Sequence, residues 1–280
     1  MTLQPEPATP KLGLLAGGGE LPNSILAACQ AEGRPVFVVT FEGQPSPEPR
    51  LISKNQHFQA NLGAVGKVLK VLKDADVESV VMAGNLHKPA LFDLRLDWKG
   101  AQALAKLSLH HDDALLRAVC EILEGQGFKV MAPHDLLPEL LAGQGLLTRH
   151  KPTTTELEDA RQGYRVAKVL GAEDIGQAIV IKNKVVIGVE AVEGTDRLLT
   201  RCADLRGKKQ GGVLVKVSKP QQDQRLDLPS IGPKTIEMLA QHGYAGVALE
   251  AGATLILERQ QTLTLADKLG VFVYGIGAEA

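Results

Sequence analysis

Aromatic residues make up only 4% of the 280-residue chain, and there is a single tryptophan. That scarcity argues against a stacking platform for single-stranded nucleic acid, which needs successive aromatic faces. No sign of charge is in excess: 31 Lys and Arg against 32 Asp and Glu leave a formal net charge of −1. A balance of this kind gives no long-range attraction to a polyanion, so no nucleic-acid partner is expected. Phosphate binding needs only local positive charge and stays open. The three cysteines, Cys29, Cys120 and Cys202, form no metal-like cluster and cannot all pair. A reduced, cytoplasmic chain is the simplest expectation. No run approaches the roughly 18 apolar residues of a membrane-spanning helix. The start, MTLQPEPATP, is polar and proline-rich, lacks the apolar core of a signal peptide, and reads as a flexible terminus over residues 1–10.

What is present is an alternation of apolar runs and helical patterns. KLGLLA at 11–16 reads as a buried strand, Gly17-Gly18-Gly19 as a turn, and Pro22 to Glu32 as a helix. PVFVVTF at 35–41 and ESVVMAG at 78–84 are further strands, with a helix from about Leu62 to Asp74 between them. Asp112 to Leu123 carries an apolar stripe, and KVMAP at 129–133 is a short strand. This order predicts an α/β fold with a mainly parallel sheet. Breakers between residues 134 and 155 mark a join. We therefore divide the chain into domains at 11–134 and 156–280, with 135–155 as linker. The later half opens with a helix over Glu156–Leu170, and QAIVIKNKVVIGVEAV at 177–192 reads as a hairpin. GVLVKVS at 212–218 is a strand, and Pro233–Gln241 a helix. Residues 243–257 read as two strands around a Glu-Ala-Gly turn. A short helix, Leu265–Leu269, feeds a last strand, VFVYGI.

Several groups carry chemistry. A strand, three glycines and a helix can aim backbone N–H groups at an anion. The run Gly17-Gly18-Gly19 lacks both the GxGxxG spacing and the Lys-Ser/Thr ending of a P-loop, so a plain tight turn is the competing reading. Glu20 beside it would repel phosphate but could orient a sugar hydroxyl or reach a metal. Asn85, after the strand ending at Gly84, suits a base or ribose, or an ordinary turn. His111, Asp112 and Asp113 precede a helix, where Asp112 reads as an N-cap and the paired carboxylates as an alternative cation site. In the second half Glu190, Glu193 and Asp196 lie at a strand end and the turn after it. With no matching bases nearby in sequence, they would repel one another unless solvent or a cation intervened, and hard oxygen ligands suit magnesium. Lys216 within a strand, Lys219, Arg225 and Asp227 form a third group, able to neutralise phosphate oxygens and to hold a metal or orient water.

In order along the chain, AGGGELP at 16–22, AGN at 83–85, DDALLRAV at 112–119, VEAVEGTD at 189–196 and the string from Lys219 to Pro233 resemble the LpxI family of UDP-2,3-diacylglucosamine pyrophosphatases. The resemblance implies two lobes, a Rossmann-like amino-terminal domain and a distinct carboxy-terminal catalytic α/β domain. It implies cleavage of UDP-2,3-diacylglucosamine into UMP and 2,3-diacylglucosamine 1-phosphate (lipid X) in lipid A biosynthesis. It further implies a need for magnesium, with manganese as a substitute, and work at the cytoplasmic face of the inner membrane by a peripherally associated protein. A homodimer is compatible with this reading. The family's essential aspartate matches Asp227. The expected site thus comprises Asp227, Lys216 and Arg225 as catalytic groups. Gly17, Gly18, Gly19, Glu20, Asn85, Asp113, Thr195 and Lys219 are expected to contact substrate, and Asp227, Glu190, Glu193 and Asp196 to bind metal. The apolar patches around Leu136–Leu147 read either as acyl-chain lining or as buried packing. A non-catalytic nucleotide-sugar-binding module is the alternative from a different class. An NAD-dependent oxidoreductase is disfavoured by the incomplete fingerprint.

Overall fold

The structure, a computed structural model, describes residues 9–86, 112–205, 211–221, 223–226 and 228–277, with residues 112–115 described by backbone alone. It divides into two compact units after Leu137. In the first, β1 (Leu12–Ala16), β2 (Val36–Phe41), β3 (His57–Ala60), β4 (Ser79–Ala83) and β5 (Lys129–Met131) form one sheet in the order β3-β2-β1-β4-β5. Every pairing in it is parallel. The strands of such a sheet are covered on both faces, which is why β1 reads LGLLA and is buried throughout. Helices α1 (Glu20–Ala31), α2 (Val65–Asp74) and α3 (Asp112–Gly125) connect them, and the short α4 (Pro133–Leu136) closes the unit. The chain runs outward from β1 through β2 to β3, then returns to β4 on the other side. That reversal creates a switch point between the carboxyl ends of β1 and β4, the place where open parallel sheets take ligands.

The second unit holds a six-stranded mixed sheet. Its members are β6 (Gly145–Leu146), β7 (Ala178–Lys182), β8 (Val185–Val189), β9 (Val213–Lys216), β11 (Gly246–Glu250) and β13 (Phe272–Ile276), in the order β6-β13-β11-β9-β7-β8. The core trio β9, β11 and β13 is parallel, while β6, β7 and β8 run antiparallel to their neighbours. Alternating side chains feed two cores. Ile179, Val215, Ala248 and Phe272 pack with Ala160, Tyr164 and Ala167 of α5 (Thr154–Ala172). Val180, Leu214, Val247 and Val273 pack with Leu198 and Cys202 of α6 (Gly194–Leu205), Ile236 and Leu239 of α7 (Pro233–Gln241), and Ala266 of α8 (Arg259–Leu269). Helix α5 lies so close to β9 that a Cβ on Gly163 would fall 2.6 Å from Val215 Cγ2. A separate parallel pair joins β10 (Ser230–Ile231) to β12 (Leu255–Ile256).

Some sequence expectations need correction here. Helix α5 begins at Thr154 because Thr153 and Glu156 form a reciprocal capping box. Helix α8 begins six residues earlier than expected, at Arg259, because its first turns are polar and carry no apolar stripe. The two strands expected around the Glu-Ala-Gly turn are present as β11 and β12, and β12 pairs with β10. Strand β3, HFQA, was hidden by its polar composition and the proline-rich segment before it. In the segment 136–147, Leu137, Leu140 and Ala142 are buried, which favours packing over acyl-chain lining for those three; Leu146 is exposed.

The hairpin between β7 and β8 turns through Asn183 and Lys184, both with positive φ (51° and 65°), the two-residue turn whose twist matches its strands. Asp159 of α5, 2% exposed, accepts hydrogen bonds from both turn amides, at 2.8 Å from Asn183 N and 2.6 Å from Lys184 N. Charge-assisted bonds of this kind contribute about 1.5–3 kcal/mol each. Asp159→Ala is therefore expected to destabilise the protein by roughly 3–5 kcal/mol in urea denaturation. A loss below 1 kcal/mol would show that water replaces the carboxylate.

Candidate active site

At the switch point of the first unit, the loops after β1 and β4 are bonded to each other. Gly17 N donates to Ala83 O at 2.9 Å, Gly18 N to Asn85 O at 3.0 Å, and Asn85 N to Gly18 O at 2.9 Å. The structure therefore brings Gly17, Gly18, Gly19 and Asn85 together, as expected. It also corrects the proposed anion cradle. The amides of Gly17 and Gly18 are occupied by carbonyls, so an anion here would meet amides only from Gly19 onward, at the first turn of α1. Space explains the glycines. A Cβ on Gly17 would lie 2.5 Å from Asn85 O, and one on Gly18 2.3 Å from Pro45 Cβ. Gly84 has φ +93° and would meet Gly18 O at 2.6 Å. Glu20 is exposed at the start of α1, with Asn23 Nδ2 3.5 Å from its carboxylate. Asp113 lies within α3, its side chain outside the described atoms. His111 and Asp227 lie outside the described residues.

In the second unit the sheet gathers the expected groups on one edge. Lys216 ends β9, Glu250 ends β11, and the register places Leu249 beside Lys216. Because β7 is antiparallel to β9, Ala178 at its start pairs with Lys216, and Val189 at the end of β8 pairs with Ile179. Glu190, Lys216, Ser218, Lys219 and Glu250 therefore share the carboxyl edge of the parallel trio.

The three acids expected to repel one another do not stand unrelieved. Glu190, 6% exposed, accepts from Thr195 Oγ1 at 2.6 Å and from Gln177 N at 3.4 Å. Glu193 accepts from Arg201 Nη2 at 2.7 Å and from Ala191 N at 3.1 Å. The Arg201 hydrogen bond, then the backbone bonds, hold the Glu193 carboxyl below its ordinary range. Asp196 pairs with Lys234 at 2.5 Å across exposed surface. The bases lie 8 and 38 residues away in sequence, which is why reading the local string missed them. Electrostatic repulsion among these acids thus does not call for a cation. Among the described residues, no three His, Cys, Asp or Glu side chains form a group that could hold a metal ion.

The cations at the edge are also engaged. Lys216, 7% exposed, donates to Ser230 O at 2.8 Å. This bond ties the last residue of β9 to the first of β10, closing the neck of the loop between them. Closing a loop of this length costs on the order of 2 kcal/mol or more of chain entropy, so the tie is not incidental. Lys219 pairs with Asp174 at 2.6 Å. Arg225 grips Asp223 through Nε and Nη2, at 3.0 and 2.7 Å.

Sequence reading missed the densest polar cluster of this edge. The Glu250 carboxylate accepts from Lys168 Nζ at 2.9 and 3.1 Å, Tyr164 OH at 3.2 Å, Ser218 N at 2.8 Å and Ser218 Oγ at 2.9 Å. Lys168 also donates to Ser218 O at 2.8 Å. The signal lies in GVALE, an apolar strand ending in a carboxylate that also opens the Glu-Ala-Gly turn.

Comparison with known proteins decides the family. Sequence models of the LpxI N-terminal domain and the LpxI C-terminal domain match residues 11–140 and 143–274. The chain belongs to the LpxI family. A curated relative from Caulobacter vibrioides, named UDP-2,3-diacylglucosamine pyrophosphatase LpxI, is 36% identical over 275 residues, covering 95% of this chain and 97% of its own. Solved structures are remote. N5-carboxyaminoimidazole synthase from Aspergillus clavatus is 14% identical over 71% of this chain and 44% of that one, with TM-score 0.28. Isoflavone reductase is 14% identical over 97% and 80%, with TM-score 0.29. Within the LpxI C-terminal match lie all the carboxyl-edge residues described above.

Burial, then the negative Glu250, opposes ionisation of Tyr164 and pushes its pKa up to about 12. An unfolded tyrosine ionises near 10. Below about pH 10 both states are neutral; between about 10 and 12 only the unfolded state ionises, so stability falls across that window. The difference in tyrosinate absorbance between wild type and Tyr164→Phe should therefore rise with a midpoint near 12. A midpoint at the free-tyrosine value would show that the hydroxyl is not held against Glu250.

Proposed function

We propose that the chain hydrolyses the pyrophosphate bond of UDP-2,3-diacylglucosamine, releasing UMP and 2,3-diacylglucosamine 1-phosphate. The observation that supports this most is the match to the Caulobacter relative along nearly the whole of both chains. The carboxyl edge of the second unit supports it chemically. Three cations, Lys216, Lys219 and Arg225, flank the loop that leads to Asp227, and cations beside a diphosphate stabilise charge that grows on its oxygens. Water oxygen attacks the α-phosphorus, the bond from that phosphorus to the bridging oxygen breaks, and the sugar 1-phosphate departs with the bridging oxygen. Asp227 is the proposed group that orients the water and takes its proton, or that binds the metal.

Magnesium dependence, with manganese as a substitute, is part of the proposal. The described carboxylates do not form a ligand set by themselves: Glu193 and Asp196 are held by Arg201 and Lys234. A cation would supply charge neutralisation at the diphosphate. Lys216, Lys219 and Arg225 give some of the same neutralisation from the protein.

Incubation of the protein with UDP-2,3-diacylglucosamine and magnesium is expected to yield UMP and lipid X by mass spectrometry, with EDTA suppressing both. Binding of substrate without either product would instead favour a non-catalytic nucleotide-sugar module. Asp227→Ala is expected to lower kcat by about 10²-fold or more, the scale of a lost general base, with an unchanged circular dichroism spectrum. Turnover within twofold of wild type would remove Asp227 from the mechanism.

Among the described residues no helix is long and apolar enough to cross a membrane. The proposed substrate is nonetheless lipid-anchored, so peripheral association with the cytoplasmic face of the inner membrane is proposed. The protein should co-sediment with vesicles carrying UDP-2,3-diacylglucosamine. Its retention in the supernatant at every lipid concentration would oppose that placement.

A further inference from the structure

The loop joining β9 to β10 carries Lys219, Arg225 and Asp227, and its first residues are held from outside by a set of polar bonds centred on Glu250. Ser218 is held by every polar group it has. Its N–H and Oγ donate to Glu250, and its carbonyl accepts from Lys168. Lys168 in turn is bonded to both carboxylate oxygens of Glu250. The next residue, Lys219, is drawn to Asp174, and Gln221 Nε2 donates to Gly171 O at 2.9 Å. Gly171 and Asp174 lie at and just beyond the end of α5, and Lys168 stands one turn before that end. Helix α5 and strand β11 thus grip the loop's outgoing limb, while Lys216 ties its returning limb through Ser230 O.

The geometry points to Glu250 as a positioning residue for the proposed hydrolysis, fixing through Ser218 and Lys168 the limb that presents Lys219 and Arg225. The inference rests on the proposed pyrophosphatase reading. Its physical content is a division of labour. The part-buried Lys168–Glu250 pair draws the further donors and acceptor it needs from one residue at the mouth of the loop, Ser218, rather than from scattered partners. Side-chain entropy favours a loop of polar residues that swings freely. Reaction at a diphosphate needs its charged groups held in place before the substrate arrives.

Two readouts separate this inference from the reading beneath it. Arg225 is the trypsin site of this loop, since Lys219 is followed by Pro220 and Lys216 is buried, and a loop that leaves its seat is cut faster. In Glu250→Gln, and in Lys168→Gln should the first variant fail to fold, the fragment ending at Arg225 is expected to form at least about tenfold faster than in wild type. With UDP-2,3-diacylglucosamine as substrate, kcat should fall at least about tenfold while KM stays within about threefold. Cleavage at the wild-type rate would overturn the clamp. Faster cleavage with unchanged kcat would overturn its role in the reaction, as would a fall in kcat that follows loss of the folded fraction in thermal melts. Absence of turnover in the wild type would sink the pyrophosphatase reading alone, because proteolysis reports on the clamp without any substrate.

Discussion

A carboxylate at the end of the central strand of the second sheet has to be satisfied, and most of the carboxyl edge follows from how that is done. Glu250 is largely removed from water, with side-chain exposure of 14%. An ionised carboxylate in such a place is tolerated only with a cation and several donors around it. Lys168 supplies the cation from α5, Tyr164 one turn earlier supplies a hydroxyl, and Ser218 supplies an amide and a hydroxyl from the end of β9. The spacing of Tyr164 and Lys168 is the helical i, i+4 step that puts two side chains on one face. One charge thereby joins a helix, two strands and the start of the loop holding the expected site residues. Burial and then the same charge suppress ionisation of Tyr164, so this tyrosine is a donor and not a candidate base.

The first unit solves a different problem, one of space. Its switch point is crossed by two loops that approach backbone to backbone; Gly17 and Gly84 leave room for that approach, and Gly18 leaves room for Pro45. The amides of Gly17 and Gly18 serve the crossing before they serve any ligand. A glycine-rich run after a first strand therefore has two physical explanations that look identical in sequence. One is room for a phosphate, and the other is room for the neighbouring loop. The bridge between Gly18 and Asn85 assigns at least Gly17 and Gly18 to the second.

The fold was legible where burial writes itself into composition. Strands β1, β4, β7 and β9 are continuous apolar runs because helices cover both faces, and α7 has the expected bounds because Gly232 and Pro233 mark its start. Strands β3, β6 and β10 were not legible, since two to four residues of mixed polarity carry no period. The site divides in the same manner. Lys216 was visible as a charge within an apolar strand and Glu190 as a charge at a strand end; the structure adds that both are buried. The Lys168–Glu250 pair was not visible, because its partners stand 82 residues apart. The partners of Glu193 and Asp196 were missed for the same reason, and a string that looked like unrelieved acidic repulsion became two ion pairs.

That pairing shapes how a diphosphate could be taken up. Lys219 faces Asp174, and Arg225 faces Asp223, so each of these cations already has an anion within 3 Å. On the proposed reading, an entering phosphate would share those cations with the resident carboxylates or displace them. Each such exchange trades one ion pair for another and recovers only the difference between them, while an uncompensated cation would hold an anion far more strongly. Such an edge offers little steering at a distance, in keeping with the near-neutral chain. Its selectivity would come from geometry: a ligand whose two phosphates reach both cations at once gains from both exchanges, and a single phosphate gains from one. An additional divalent cation would shift this balance further toward the diphosphate by neutralising the carboxylates that compete with it.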